Sequence, residues 1–252
     1  MGDDLKQKLS EEDIKLRYIT PALDNSGWKR EHIRMEYAFT DGTILLNGKK
    51  PTRKAQKRAD YLLYYKTLST NQPIAIVEAK DNNHGVSDGL QQAIAYAKIL
   101  DIPFAYSSNG DAFVEYDMTT GIESIISLND FPSPETLWRR FTHAKQITPE
   151  VERIISTPYA FKQGDFTPRY YQSIAINRTL EAIAKGQNRL LLVMATGTGK
   201  TYTAFQIIHR LKSSGLKKKV LFLADRNILL DQTMIQDFKP FERIMTKVKT
   251  RI

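Results

Sequence analysis

The sequence predicts an α/β protein in two parts: a mixed sheet flanked by helices over residues 1-147, and the beginning of a parallel-sheet domain over 168-252, joined by a linker over 148-167. Two observations carry this. Through the first part the segments run helix, several short β-rich stretches, helix, strands, the order of a mixed core. From Pro168 the rhythm becomes helix, strand, glycine turn, helix, strand, the alternation of a parallel sheet. A chain of 252 residues with 41% hydrophobic side chains has material for two cores, and too much of it for wholesale disorder.

Each element has a local cause. Ser10 followed by Glu11, Glu12 and Asp13 reads as an N-cap with an acidic first turn, and the helix it opens carries Ile14, Tyr18 and Ile19 and is expected to stop near Thr20-Pro21. Ile33 to Phe39, the turn pair Asp41-Gly42, and Thr43 to Leu46 read as a hairpin. Lys49 to Arg58 holds six basic residues in ten and no large apolar side chain, so it is either a solvated loop or a phosphate-facing edge. Tyr61 to Tyr65 and Ile74 to Val77 are β-rich, separated by polar Ser69 to Pro73. Val86 to Leu100 places Leu90, Ala93, Ile94 and Ala97 in helical register and is closed by Asp101-Ile102-Pro103. Phe104 to Ser107 and Ala112 to Tyr116 form a second hairpin across Ser108-Asn109-Gly110-Asp111, and Glu135 to Ala144 a short helix. Thr148 to Thr167 reads as irregular connection. Beyond it come a helix from Pro168 to about Lys185, a strand Arg189 to Met194, a helix Lys200 to Leu211 and a strand Val220 to Ala224.

Composition narrows the function classes. With no cysteine, disulfide scaffolds, thiolate zinc sites and cysteine nucleophiles are excluded. No apolar stretch is long enough to span a bilayer, and Met1 to Tyr18 is polar and acidic where a signal peptide needs an apolar core, so the expectation is a cytoplasmic protein with no membrane partner. The 37 Lys+Arg against 28 Asp+Glu leave a formal charge of +9, which suits a nucleic-acid partner.

Asp60 opens one apolar strand and Glu78 closes its neighbour, in Ile74-Ala75-Ile76-Val77-Glu78-Ala79-Lys80. Glu78 and Lys80 share a strand face, and an aspartate on the paired strand can lie beside them. Two converging carboxylates suit Mg2+, a hard ion that keeps several waters, and Lys80 is then placed to orient or help deprotonate a metal-bound water aimed at a phosphodiester. Gln92 and Tyr96, four apart, lie on one face of the following helix. Either Glu12 or Glu36 is a candidate for a further metal contact.

The second constellation is Met194-Ala195-Thr196-Gly197-Thr198-Gly199-Lys200-Thr201, between an apolar strand and a helix. Glycines let backbone N–H groups curl toward phosphate oxygens, Lys200 reaches the terminal phosphates, and the Thr201 hydroxyl ligates Mg2+. These are the requirements of an ATP phosphate loop, although Met194 stands where the strict pattern has its first glycine.

Family resemblances add to this reading. Asp60, the 18-residue step to Glu78, and Glu78-Ala79-Lys80 at a strand end resemble the core of PD-(D/E)xK nucleases, with Ala59 replacing the frequent proline. The Gln92 to Tyr96 helix resembles that of the RecB-like branch, which implies that this pair touches the active site or the DNA backbone. Ala195 to Thr201 resembles the phosphate loop of superfamily 2 helicases and translocases, the motor built on RecA-like domains. Phe166 to Gln172 looks like their Q motif, which implies Gln172 on the adenine with Arg169 or Tyr170 packed against it. Val220 to Arg226 is similar to motif Ia, which implies that Arg226 touches the nucleic-acid backbone.

In combination and order these motifs resemble the restriction (HsdR) subunit of type I restriction–modification enzymes. The resemblance implies Mg2+-dependent double-strand cleavage, ATP-driven translocation of duplex DNA, and assembly with methyltransferase and specificity subunits. Lys54, Lys57 and Arg58, just before Asp60, are then the expected DNA-facing cations. The chain stops at Ile252 before any Asp-Glu-x-His segment, so the expectation is an N-terminal fragment with an incomplete ATPase. Two other readings stay open: a nuclease–helicase of repair or another restriction class, and a DNA translocase whose nuclease fold is inactive.

Overall fold

β4 (Lys57–Tyr65) is the strand around which the first unit is built: Ala59, Tyr61, Leu62, Leu63 and Tyr64 are all buried, so it needs partners on both edges and cover on both faces. In this computed structural model, which describes residues 8-40, 44-47, 50-53, 56-65, 72-160, 168-224 and 238-248, those partners are β1 (Ile33–Phe39) and β5 (Gln72–Ala79), both antiparallel. The sheet continues through β6 (Phe104–Ser108), β7 (Phe113–Asp117) and β8 (Ile122–Ile126), in the order β1-β4-β5-β6-β7-β8. Only β5 and β6 run parallel, and the crossover between them carries the helix α3 (Leu90–Leu100), packed on both strands. A separate two-stranded ribbon pairs β2 (Ile44–Asn47) with β3 (Lys50–Arg53).

The N-terminal helix begins where its cap predicts: Ser10 accepts from the Asp13 N–H and Asp13 returns the bond to Ser10. It does not stop at Pro21. α1 (Glu11–Ile14) passes into one π-helical turn, Lys15–Ile19, and then into α2 (Thr20–Asn25), with Pro21 in the opening positions of that last segment. There the missing proline N–H falls at the looser turn, so the helix runs on where a proline inside a regular helix would break it. Ile14, Ile19 and Leu23 go into the core, and the Trp28 indole N–H donates to the Pro132 carbonyl at 2.9 Å. Each such aliphatic side chain contributes ~1.5–3 kcal/mol by leaving water. Gly110, at φ +90°, allows the close approach: a Cβ there would meet Ile14 Cδ1 at 2.9 Å. α4 (Pro134–Ala144) covers β4, stacking Trp138 on Tyr65 with ring centroids 4.3 Å apart.

Several expectations change. β1 pairs with β4 and not with the strand that follows it, because a turn signal sees only neighbours in sequence, while β4 demands a partner for its buried edge. Lys49 to Arg58 carries β3 and the start of β4 where a loop was one of the two readings. α3 begins at Leu90, four residues later than read, and β8 was not foreseen. The turn at Asp41-Gly42 and most of Ser69 to Pro73 lie outside the described residues.

The chain divides into two compact units at Thr148/Pro149. The second contains α5 (Pro149–Ile155), helix where irregular connection was expected, α6 (Tyr170–Ala184) and α7 (Lys200–Ser213). Ile154, Tyr159, Ile176, Leu180 and Leu211 form one core cluster there, and Phe205, Phe238 and Phe241 another. Buried Arg210 ties the first together, donating to Asn177 Oδ1 at 2.7 Å and the Ile155 carbonyl at 2.6 Å with its guanidinium over the Tyr159 ring. The two strands expected around the glycine turn are not formed. Leu190 to Val193 and Val220 to Leu223 pair with nothing among the described residues, and Leu191 and Val193 are 86% and 87% exposed. A strand exists only as half of a ladder, so an apolar run without a partner is not one.

Candidate active site

The ends of β4 and β5 meet the start of α1 and one face of α3. Continuing the β4–β5 register by one residue from Tyr61 opposite Val77 sets Asp60 opposite Glu78, and the Ala79 N–H donates to Asp60 Oδ2 at 2.8 Å. The Lys80 N–H donates to the Ser108 carbonyl at 2.8 Å, which extends the β5–β6 pairing and fixes where the lysine leaves the sheet.

Gln92 is the connector. Its amide Nε2 donates to Glu78 Oε2 at 2.7 Å and to the Tyr96 hydroxyl at 3.3 Å, while its Oε1 accepts from Lys80 Nζ at 3.5 Å. Asp60, Glu78, Lys80, Gln92 and Tyr96 thus form one cluster; adjacent Gln91 is exposed and outside it. Tyr96 also packs edge-on against Phe39, with centroids 5.1 Å apart, and carries Lys57 Nζ 5.5 Å above its ring.

Glu78 is 1% exposed and its Oε1 is buried with no hydrogen-bond partner. Burial, and then the neighbouring charge of Asp60, push its carboxyl up to about 8. A buried acceptor left unsatisfied costs ~1–3 kcal/mol and calls for an explanation such as an absent ion. Among the described residues no three acidic or imidazole side chains group together, and the oxygen donors on these paired strand ends are the two carboxylates of Asp60 and Glu78. That donor set fits Mg2+.

Sequence reasoning missed Lys15. It is buried at the first residue of the π turn, its Nζ 2.6 Å from Asp60 Oδ1 and 2.7 Å from Glu36 Oε1. Burial works against its charge, but hydrogen bonds to Asp60 and Glu36 and their charges outweigh burial and hold its pKa above the ordinary lysine value. The available signal was position: Lys15 lies four residues before Ile19, on the face read as apolar. Glu36, a candidate for a further metal contact, lies instead on Lys15; its carboxyl is held low mainly by that hydrogen bond, and Arg58 adds a contact at 3.3 Å. Glu12 is exposed, and it is Glu11 that lies 3.5 Å from Lys80. Lys54 and Arg226 lie outside the described residues.

In the second unit the loop from Thr196 to Gly199 feeds α7, whose N-cap Gly199 and loop Gly197 take φ of +81° and +78°. These left-handed positions turn the chain into the positive end of a 14-residue helix, where an anion is favoured. Lys200 folds back onto the Met194 and Ala195 carbonyls at 3.3 and 3.2 Å, and Thr198 Oγ1 donates to the Ala195 carbonyl at 2.6 Å. Thr201 follows in the first turn. An exposed ammonium resting on neutral carbonyls fits a phosphate-binding role. Gln172 is buried beneath this loop: its Nε2 donates to the Thr198 carbonyl and its Oε1 accepts from the Arg169 N–H, both at 2.9 Å. Both ends of that amide are engaged within the protein.

Comparison with known proteins places these two units. Residues 10–132 match the family described as type I restriction enzyme R protein N terminus, and residues 165–252 match the family described as type III restriction enzyme, res subunit. The chain is 48% identical over 248 residues to the EcoAI type I restriction enzyme endonuclease subunit of Escherichia coli, across 96% of this chain and 30% of that protein. It is 29% identical to the EcoKI endonuclease subunit of Escherichia coli K12, across 90% and 23%. A solved fragment from Vibrio vulnificus, ascribed to the HsdR subunit of a type I restriction enzyme, superposes with a TM-score of 0.71 at 44% identity, across 83% of this chain and 39% of that one. The chain spans less than a third of the length of the curated relatives it matches. No helix among the described residues is long and apolar enough to cross a membrane.

Proposed function

We propose, from the premise that the chain belongs to the R-subunit family of type I restriction enzymes, that its first unit is a PD-(D/E)xK nuclease domain and its second the nucleotide-binding start of a RecA-like translocase. In the complete subunit these would cleave both strands of DNA and drive translocation of the duplex with ATP. The observation that carries the nuclease reading is the buried, unpartnered Glu78 Oε1 beside Asp60, with Lys80 two residues on. Asp60 and Glu78 would hold Mg2+, which when bound supplies an acidified water and offsets charge growing on the phosphorus oxygens. Lys80 would orient the attacking water, Gln92 fixes the Glu78 carboxylate and the Lys80 ammonium through its amide, and Tyr96 ends that network.

Lys57 and Arg58, on β4 just before Asp60, would meet the phosphate backbone, with Lys54 in the same basic run. In the second unit Thr196 to Lys200 would cradle the ATP phosphates and Thr201 ligate its Mg2+. Gln172, engaged with the Thr198 carbonyl, would act by supporting the loop, and adenine contact requires that it change partners. Double-stranded DNA and the methyltransferase and specificity subunits are the proposed partners.

The test is plasmid cleavage by the complete subunit assembled with its methyltransferase and specificity subunits. Linear product is expected only with Mg2+ and ATP together; cleavage that survives chelation of divalent ions would contradict the reading.

A further inference from the structure

Among the described residues Lys15 is the one buried lysine, and everything that offsets its burial is in the candidate nuclease site. Its ammonium bridges Asp60 Oδ1 at 2.6 Å and Glu36 Oε1 at 2.7 Å. Asp60 Oδ2 is already taken by the Ala79 N–H, so Oδ1 is the oxygen most open to a cation, and Lys15 holds it. Resting on the nuclease reading above, we propose that Lys15 is a positioning residue for the divalent ion: it holds the Asp60 carboxylate in the metal-free protein, yields Oδ1 when the ion arrives, and keeps its bond to Glu36.

Three features are arranged for such an exchange. The π turn starts at Lys15, and an extra residue in a helical turn re-aims one side chain without ending the helix. Glu36 sits opposite Asp60 in the β1–β4 register, yet takes φ +52°, a left-handed conformation that strains a non-glycine residue and persists only where packing enforces it. That carboxylate is 43% exposed in its side chain, so it can keep the ammonium near water after Asp60 has turned to the metal. A buried ammonium with neither partner would be strongly destabilising, which is why the second carboxylate is needed.

The probe is Mn2+, titrated calorimetrically into the chain without DNA or nucleotide. Lys15→Met should bind Mn2+ about tenfold more tightly than the native chain, equivalent to ~1.4 kcal/mol, because the ion no longer competes with an ammonium. Lys15→Arg should stay close to native. Arg17→Met, which removes a charge one short step along the helix at a 52% exposed side chain, should also stay close, separating local competition from general electrostatics. Glu36→Gln strands Lys15 on Asp60 and should weaken binding, the opposite sign, so the inference remains testable if Lys15→Met does not fold. Unchanged or weaker binding by folded Lys15→Met, or unchanged or tighter binding by Glu36→Gln, would overturn it. If Glu78→Gln abolishes Mn2+ binding while both other substitutions leave it unaltered, the inference fails and the nuclease reading stands. If neither the native chain nor Lys15→Met binds Mn2+, both fail.

Discussion

The two candidate sites hold their lysines in opposite ways. In the first unit Lys15 and Lys80 end on carboxylates and an amide brought in from other elements: Asp60 and Glu36 for one, Gln92 and Glu11 for the other. In the second unit Lys200 ends on two carbonyls of its own loop, five and six residues back. The first arrangement is a product of tertiary structure and exists only if a helix, three strands and a crossover helix are all in place. The second is a product of local backbone conformation, written in two glycines and a helix start. Side chains preorganised by a folded sheet suit chemistry on a substrate held at a fixed depth, while a loop whose lysine rests on neutral carbonyls suits a ligand that brings its own charge.

Substitutions separate the two sites most strongly in activity. In the complete, assembled enzyme Glu78→Ala or Lys80→Ala should lower DNA cleavage by about 100-fold or more, whereas Lys200→Ala should remove nucleotide binding, read with a fluorescent ATP analogue. Loss of nucleotide binding on changing Glu78 would erase the distinction between the sites.

The next largest contrast is in stability. Leu63 is fully buried in β4, so Leu63→Ala should cost ~2–5 kcal/mol of the first unit in urea denaturation. Both tryptophans, Trp28 and Trp138, lie in that unit, so their fluorescence follows it alone. Leu191, equally apolar and 86% exposed, should cost less than about 0.5 kcal/mol by circular dichroism when changed to alanine.

A pH dependence should appear in the first unit. In the metal-free fold the Glu78 carboxyl is pushed up to about 8 from the ordinary 4.5, so between those values the folded chain holds a proton that the unfolded chain has released. Stability is therefore full below about 4.5 and falls as pH rises through about 8, with a slope of up to ~1.4 kcal/mol per pH unit. Tryptophan-monitored denaturation at pH 5 and pH 8 measures it, and Glu78→Gln should flatten it. In the second unit, Gly199→Ala forces a side chain into φ +81° against the Gln172 amide; about 1 kcal/mol of that unit and part of its nucleotide affinity should go with it.

What was legible in the sequence follows the same division. Short β-rich runs and turn signals located β4, β5 and the β6–β7 hairpin, because their partners are adjacent in the chain or their burial is continuous. The pairing of β1 with β4 was hidden, since a ladder that skips an inserted ribbon has no local signature. Asp60, Glu78, Lys80, Gln92 and Tyr96 were readable because strand and helix periodicities put them on common faces. Lys15 was not singled out: its spacing to Ile19 set it on the apolar face, but its pairing with Asp60 and Glu36 depends on a π turn and on a glutamate in a left-handed conformation, which the sequence does not mark. Leu190 to Val193 shows the reverse error: its apolar pattern is that of a strand, yet among the described residues no strand lies beside it.

On the proposed function Glu78 serves the nuclease site and not the motor. ATP hydrolysis and plasmid cleavage measured in one reaction mixture, with the complete Glu78→Ala subunit in the assembled enzyme, test this directly. Hydrolysis at the native rate with cleavage abolished is the predicted result; cleavage that continues, or hydrolysis that falls with it, would contradict the assignment.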